Sequence, residues 1–302
     1  MARMGVGDVE QQEHGRSQCL PKGNIRGERP GLVVILSPVD VASLGYRTDL
    51  MIHGFGGSET VDRGSHLVIR TPSNPHFWWG NYLLLRSAPP AGEWQGWIAE
   101  FARKFPSARH VALGLDSVDG AVEDAEGLTA LGFDIQVDTV LTATDLPRRA
   151  HKHPLFEIRP LHSDEDWAQS VELRLSLHEG APDPRLPKRA QTRAREYRAV
   201  VEAGHGVWFG AFVDGVMRCG AGLFTDDSGL ARFQSVETHP AFRRQGLASA
   251  LVQRLGRWGL TDRGASKLVI VADPAYHAIE LYRRLGFEDI EHQVRLARPE
   301  AV

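Results

Sequence analysis

The chain has 302 residues, 42% hydrophobic and 24% charged, a composition typical of a globular protein with one large or two ordinary domains. Its 35 basic and 38 acidic residues give a formal charge of −3, which excludes an overall basic field for nucleic acid. No apolar run approaches the roughly 20 residues of a spanning helix, so we expect no membrane association. The two cysteines, Cys19 and Cys219, indicate neither a disulfide framework nor a zinc site. We therefore predict no metal and a cytoplasmic location.

The first half of the chain predicts a polar tail followed by short strands and helices. Residues 1–30 lack the apolar core of a signal peptide and are predicted to be a disordered tail. A first domain is placed at residues 31–146, and a polar linker with two prolines at residues 147–155. Apolar patterns predict strands at 31–36, 66–70, 81–86, 110–115 and 135–143, helices at 92–105 and before Gly132, and a loop at 53–59.

The second half, placed at residues 156–302, shows a sharper pattern. Ser163 and Asp166 are spaced nearly as in a capping box, and Asp214-Gly215 is a strong hairpin signal between two apolar runs. The predicted elements are a strand near 155–161, a helix from Ser163, a basic helix at 185–198, three antiparallel strands ending near Val236, a helix at 247–258, a strand at 267–272, a helix at 276–285 and a strand at 290–297.

An arginine- and glycine-containing turn precedes the predicted helix at 247–258. The first turn of a helix has unpaired N–H groups and a positive dipole end, so it favours an anion. Gly246 allows a phosphate to approach the backbone, Ala248 keeps the next turn small, and Arg243 and Arg244 add positive charge. Taken alone, the same residues also fit an ordinary helix start with two solvated arginines. The turn lacks the lysine of nucleoside-triphosphate loops and the three glycines of dinucleotide loops.

Two motifs and the order of elements resemble the GCN5-related N-acetyltransferase (GNAT) family. Its pyrophosphate loop, [Q/R]-x-x-G-x-[G/A], is matched by residues 243–248, and its preceding V-x-x-x-P by Val236 and Pro240. The motif A-x-x-L-Y-x-x-x-G-F is matched by Ala278, Leu281, Tyr282, Gly286 and Phe287. The resemblance extends from about Phe156 to the C-terminus. It implies an α+β fold with a mixed, mostly antiparallel central sheet flanked by helices.

The resemblance also implies an acyltransferase that moves an acetyl group from acetyl-CoA directly to a primary amine of an acceptor. Tyr282 is then the general acid at the departing sulfur. Glu237 is the first choice as general base, with His239, Asp226 and Glu172 as alternatives. The implied acetyl-CoA contacts are Val236, Thr238, Arg243, Arg244, Gln245, Gly246, Leu247, Ala248 and Ser249.

Other interpretations stay open. Many members of the family have an asparagine where this chain has Ala275, with Asp273 close by, which affects one pantetheine contact. The basic run at 185–198 is either a solvated helix face or a site for an acidic acceptor or the adenosine 3′-phosphate. The alternative function is a non-catalytic acetyl-CoA-binding or protein-interaction module. We expect no nucleic-acid partner, and a monomer or a homodimer.

The first half resembles a degenerate copy of the second. Leu131-Gly132-Phe133 and Leu285-Gly286-Phe287 are 154 residues apart. The same offset places Gly246 on Gly92, Arg243 on Pro89, Ala248 on Trp94 and Tyr282 on Leu128. We therefore predict two tandem GNAT-like domains, of which the first has lost its cofactor loop. This first domain either forms a wall of the acceptor site or holds the second domain in place.

Overall fold

Short apolar runs separated by turns form the strands of one large sheet. In the computed structural model, the structure describes residues 40–145, 156–178, 180–181, 183–226 and 228–299. The predicted tail, the strand at 31–36 and the linker at 147–155 lie outside these residues. The described strands are β1 (Glu59–Asp62), β2 (His66–Arg70), β3 (Tyr82–Leu85), β4 (His110–Leu115), β5 (Asp134–Ala143), β6 (Glu157–Pro160), β7 (Gly206–Val213), β8 (Val216–Thr225), β9 (Leu230–Thr238), β10 (Lys267–Ala272) and β11 (Glu288–Pro299).

Helices cover both faces of this sheet. They are α1 (Leu44–Phe55), α2 (Trp94–Lys104), α3 (Ala125–Ala130), α4 (Asp164–Leu175), α5 (Leu186–Glu202), α6 (Leu247–Arg257) and α7 (Ala278–Leu285). The N-terminus of α4 has the complete capping box, in which Ser163 and Asp166 each bond the other's backbone N–H. A π-helical turn at Trp258–Asp262 follows α6.

The two halves exchange their last strands. The sheet order is β1-β2-β3-β4-β11-β5-β10-β9-β8-β7-β6. Strand β11 of the second half pairs antiparallel with β4 of the first, and β5 of the first half pairs antiparallel with β10 of the second. The two exchanged strands also pair with each other at the centre. The predicted tandem pair of sheets is therefore one continuous sheet, in which each half completes the other.

The repeat is visible in the backbone. Gly92 and Gly246 both adopt the left-handed conformation, with φ of +84° and +85°. The N–H of Phe133 donates to the carbonyl of Leu128 at 3.0 Å. At the same offset of 154 residues, the N–H of Phe287 donates to the carbonyl of Tyr282 at 3.1 Å. The two halves thus share both glycine turns, and the order of strands and helices from β1 to β5 matches that from β7 to β11.

Two elements were missing from the sequence prediction. Helix α1 extends through Phe55, so the predicted loop at 53–59 was wrong over its first residues, and β1 was not predicted. The buried residues of α1 are Leu44, Gly45, Tyr46 and Thr48, all in its first turns. Because Gly45 and Thr48 belong to this buried face, it is not marked by apolar residues alone, which is the pattern that predicts a helix.

The sheet separates two core layers in the second half. On one face, α6 and α7 pack over β7 to β10, in a cluster that includes Leu251, Leu255 and Tyr282. On the other face, α4 and α5 pack around Trp167, Tyr197 and Trp208, with Ile52 and Phe55 of α1 at the edge of that cluster. Helix α1 of the first half therefore covers part of the second half.

Candidate functional site

Strands β9 and β10 separate along their length. They pair in parallel only from Leu230 to Arg232 and from Lys267 to Val269, although both strands continue beyond those pairs. On its other side, β9 has a bulge against β8, because the register changes between Gly222–Gln234 and Gly220–Glu237. Ser235, in the bulge, has a φ of +49°. A bulge bends its strand, so β9 turns away from β10 and a gap opens between them.

The predicted anion loop follows this gap. A short 3₁₀ turn at Pro240–Phe242 ends β9, and α6 begins after Gly246. Arg244 also adopts a left-handed conformation, with φ of +58°, so two left-handed residues shape the loop. The side chains of Arg244 and Gln245 are exposed, and the Gln245 amide donates to the carbonyl of Ala241 at 3.1 Å.

The first turn of α6 presents free backbone donors. The first bond into the helix is donated by the N–H of Ala250 to the carbonyl of Gly246, at 3.0 Å. Within the described residues, the N–H groups of Leu247, Ala248 and Ser249 have no backbone acceptor. Gly246 provides no side-chain cap. These donors and the positive end of the helix dipole suit a phosphate group.

Tyr282 lies near the gap on the α7 side. Its ring belongs to the same apolar cluster as Val236, Leu247 and Ala248, so the fold brings together residues of β9, α6 and α7. Burial raises the pKa of the Tyr282 phenol well above its ordinary value. A raised pKa keeps the phenol protonated at neutral pH, as a proton donor requires.

Glu237 and Thr238 both have partners. The Glu237 carboxylate forms an ion pair through Oε1 with Arg174 of α4, and its side chain is only 11% exposed. The Thr238 hydroxyl lies 3.2 Å from the Cys219 sulfur. Burial raises the pKa of Cys219 to about 12, so this thiol stays neutral. Glu237 therefore lies against α4 and not in open solvent.

The alternative bases have different surroundings. Asp226 lies in the turn before β9, at the opposite end of that strand from the bulge, and accepts bonds from Ser228. His239 accepts the N–H of Ala241 at 3.3 Å. Glu172 is exposed on α4. Asp226 is therefore separated from the gap by several residues of β9, and a strand rises about 3.3 Å per residue.

The turn at Asp273–Ala275 and the basic helix α5 both form hydrogen bonds or ion pairs with neighbouring residues of the chain. The carboxylate of Asp273 accepts the N–H of Ala275 at 2.8 Å. Ala275, which stands where many family members have an asparagine, is therefore part of a local turn. In the basic helix α5, Arg189 pairs with Asp183, and Arg198 with Glu202 and Asp164. Three arginines of the basic run, Arg189, Arg193 and Arg198, therefore have carboxylate partners.

A cavity of about 450 Å³ opens on the face of the sheet that α1 and α5 cover, opposite to α6 and α7. Gln234 of β9 and Val271 of β10 line it beyond the last paired residues of those strands, so it meets the gap. Sequence reasoning did not find this site, because its lining comes from segments distant in the chain. The first half contributes Asp49, Ile52, His53, Gly56, Ser58, Thr71, Ser73, Phe77, Trp79, Gln136 and Asp138, and the second half Arg193, Glu196, Tyr197, Val200, Arg232, Gln234, Val271, Asp273 and Arg295.

A buried ion network forms the base of the cavity. Asp49 accepts from Arg232 at 3.2 Å, from Arg295 at 3.1 Å and from Gln293 at 2.7 Å. Arg295 also approaches Asp138 at 3.4 Å. The network joins α1 and β5 of the first half to β9 and β11 of the second. Breaking a buried pair of this kind leaves an uncompensated charge, so the network fixes the two halves together.

Two further polar groups face the same space. The Tyr197 hydroxyl lies 3.4 Å from Gln234 Oε1 and from Ser235 Oγ, and so contacts the bulge of β9. Burial lowers the pKa of His53 to about 4, so its imidazole is neutral at pH 7. The cavity therefore holds a neutral imidazole and a phenol among its charged groups.

A large part of the second half matches a known protein family. Residues 170–287, which contain the second half of α4, helices α5 to α7 and strands β7 to β10, match the model of the acetyltransferase (GNAT) family. The chain thus carries a domain of the GNAT family. None of the curated proteins matches the sequence.

Solved structures share the fold at low identity. A functionally unknown conserved protein from Staphylococcus epidermidis is 14% identical, with a TM-score of 0.67, over 81% of this chain and 95% of its own. A GCN5-related N-acetyltransferase from Kribbella flavida is 18% identical, with a TM-score of 0.60, over 86% and 97%. A tandem GNAT protein from the clavulanic acid biosynthesis pathway is 14% identical, with a TM-score of 0.51, over 78% and 83%. The chain therefore shares the tandem GNAT fold.

The described residues contain neither a membrane-spanning helix nor a cluster of metal ligands. No helix in this part of the chain is long and apolar enough to cross a bilayer. Within the same ranges, no group of three or more His, Cys, Asp or Glu side chains is arranged to hold a metal ion.

Proposed function

We propose that the second half of the chain is an acetyl-CoA-dependent N-acetyltransferase that moves an acetyl group to a primary amine. One observation carries the proposal. Strands β9 and β10 separate at a bulge, and the gap leads to the free N–H groups at the start of α6. This arrangement lies within the segment that matches the GNAT family.

The residues of the loop fit acetyl-CoA. The N–H groups of Leu247, Ala248 and Ser249, with Arg244 and Gly246 beside them, would hold the pyrophosphate. The backbone of Val236 and Thr238 borders the gap and would hold the pantetheine arm. When bound, acetyl-CoA supplies the activated acetyl group.

The proton transfers are assigned to two side chains. Glu237 takes a proton from the acceptor amine, and its ion pair with Arg174 fixes the carboxylate at the edge of β9. The phenol of Tyr282 holds a proton for the leaving sulfur, and its raised pKa keeps that proton in place at neutral pH. Backbone N–H groups at the bulge stabilise negative charge on the acetyl oxygen.

The first half, with proposed limits 31–146, keeps the fold without the site. The N–H of Gly92 donates to Asp124 at 3.2 Å, so a carboxylate of the chain occupies one donor of that loop. Trp94, which is 1% exposed, fills the position that corresponds to Ala248. We therefore propose that this half binds no acetyl-CoA.

Calorimetric titration with acetyl-CoA tests the assignment. The wild type is expected to bind one equivalent, and Gly246→Glu to lose at least about 100-fold in affinity, because a carboxylate enters the phosphate site. The matched control is Gly92→Glu, which places the same side chain on a left-handed glycine of the other half. Equal affinity in Gly246→Glu and wild type, with both folded by circular dichroism, would reject the cofactor site.

A further inference from the structure

The size and the lining of the cavity between the halves point to a class of ligand. Its volume of about 450 Å³ lies in the range of small-molecule sites, and its lining comes from helices, strands and loops of both halves. The side of the cavity at Gln234 and Val271 borders the gap between β9 and β10. A small molecule in the cavity would therefore lie beside the gap proposed for acetyl transfer.

Most of the charge in the cavity is already balanced. Asp49 and Asp138 are matched by Arg232 and Arg295, all four of them connected in one network. At the outer side, Arg193 lies 3.3 Å from Glu196. The arginines of the cavity are therefore each committed to a carboxylate.

The aromatic faces of the cavity are also occupied. The guanidinium of Arg193 lies 4.4 Å from the centre of the Phe77 ring, and that of Arg295 lies 5.3 Å from the centre of a Trp79 ring. Because these faces already stack on cations, they offer a ligand little further cation–π attraction. A cationic ligand must therefore find its counter-charge among the carboxylates of the cavity.

One carboxylate has no ionic partner. Asp273 follows β10 and is exposed, and no ion pair within the described residues includes it. It lies close enough to Asp138 for its charge to add to burial in raising the pKa of that carboxyl. The pairing of β5 with β10 ends at Thr139–Ala272, so Asp138 and Asp273 are the next residues of the two strands. The cavity thus has one unbalanced negative charge beside a buried carboxylate.

We propose that this cavity binds the acceptor, and that the acceptor is a small amine with net positive charge, held by Asp138 and Asp273. The inference rests on the acetyl transfer proposed above. Its ligand site is composite, since Asp138 comes from the strand that the first half contributes and Asp273 comes from the second half. Loss of Asp273 removes the unbalanced counter-charge from the ammonium group, and loss of Asp138 removes the buried carboxylate beside it, without touching the loop at α6.

The test compares amines of different net charge. Acetylation, followed as release of the CoA thiol, is measured with an aliphatic diamine, an arylalkylamine, a zwitterionic amino acid and an octapeptide with a free amino terminus. At least one of the two cationic amines is expected to have a kcat/KM at least tenfold above those of the amino acid and the peptide. A preference for the amino acid or the peptide would overturn the inference.

Substitutions locate the site. Asp273→Asn, at an exposed position, is expected to raise KM for the preferred amine at least tenfold, with a smaller change in kcat and an unchanged affinity for acetyl-CoA. Asp138→Asn is expected to act in the same direction. The matched control is Asp134→Asn, an exposed residue of the same strand that lies outside the cavity lining. An unchanged KM in Asp273→Asn would overturn the assignment.

Direct titration separates this inference from the proposed function. The diamine and the arylalkylamine are titrated into the protein by calorimetry, with and without saturating acetyl-CoA. Binding of one of them that is weakened by Asp273→Asn supports the cavity site even if acetyl-CoA is not bound. Absence of amine binding under both conditions would overturn the inference, whereas intact acetyl-CoA binding would leave the cofactor assignment standing.

Discussion

Strands β3 and β4 of the first half stay paired to their last residues, Leu85 and Leu115, whereas β9 and β10 of the second half separate after Arg232 and Val269. The neighbouring register explains the difference. Strand β2 pairs with β3 without interruption, but β8 and β9 have a bulge. A bulge bends one strand away from its neighbour. One inserted residue thus distinguishes a closed sheet from one with a gap.

The two glycine loops have similar backbone conformations but different side chains around them. Gly92 and Gly246 have nearly the same φ, and each precedes a helix by one or two residues. In the first half, however, the Asp124 carboxylate and the Trp94 ring take up the space. We therefore propose that a left-handed glycine before a helix is not sufficient for an anion site. The first turn must also be small and its donors free.

Exchanging the side chains at Ala248 and Trp94 is the strongest test of this contrast. Ala248→Trp is expected to lower acetyl-CoA affinity at least about 100-fold, because a large ring covers the first turn of α6. Trp94→Ala is expected to cost about 3–5 kcal/mol in the free energy of unfolding, because it leaves a cavity in the core. It creates no second acetyl-CoA site. Calorimetry and urea unfolding measure both effects, and a stoichiometry of two in Trp94→Ala would contradict this account.

Removing a charge that links the halves tests whether they are separable. Arg232→Met leaves Asp49 buried with one arginine fewer, so we expect a loss of about 3–5 kcal/mol in unfolding free energy. Because the halves exchange strands, the loss should appear in a single transition. Two separate calorimetric transitions in the wild type or the variant would show that the halves unfold independently.

Tyr282→Phe addresses the third difference, since the corresponding residue of the first half is the buried Leu128. We expect kcat to fall about 100-fold, the scale of a lost general acid. The affinity for acetyl-CoA, measured by calorimetry, should change less than twofold. Because the pKa of Tyr282 is raised, the phenol keeps its proton as the pH rises. The wild-type rate should therefore show no loss from ionisation of this phenol until the pH exceeds about 10, the ordinary tyrosine value. Unchanged kcat would remove Tyr282 from the mechanism.

The smallest expected effect concerns the way each half caps a helix. Arg159 and the N–H groups of His162 and Ser163 hold the pKa of Asp166 well below its ordinary value. A lowered pKa gives stability that is present above the unfolded value of about 4 and is lost as the pH falls through the folded value. Asp166→Asn should therefore cost about 1–3 kcal/mol at pH 7 and less at pH 3, measured by urea unfolding. A constant difference across this range would exclude the ionised carboxyl as the cause.

Helix α1 provides the contrasting cap. Its N-terminal Ser43 bonds Glu291, which belongs to β11 of the other half and also accepts the N–H of Gly45 at 2.8 Å. Burial raises the pKa of Glu291 above its ordinary value. A raised pKa favours folding at low pH and loses that contribution as the pH rises through the folded value. The local cap and the remote cap therefore respond to pH in opposite directions.

The sequence by itself determined the local features. Apolar spacing placed α2, α6 and strands such as β4, and the glycines at 92, 132, 246 and 286 marked turns that only a left-handed residue completes at low cost. The capping box of α4 and the loop before α6 followed from residues within a few positions of one another. These features depend on backbone preferences and nearest neighbours, which a single segment encodes.

Tertiary structure decided the features that join distant segments. The exchange of β5 and β11, the bulge at Ser235, the ion pair of Glu237 with Arg174 and the cavity between the halves each depend on the register of separate strands. Register is set by the burial of a whole sheet face and not by one strand's own pattern. The candidate acetyl-CoA loop could thus be located from sequence, whereas the proposed acceptor site emerged only from the assembled sheet.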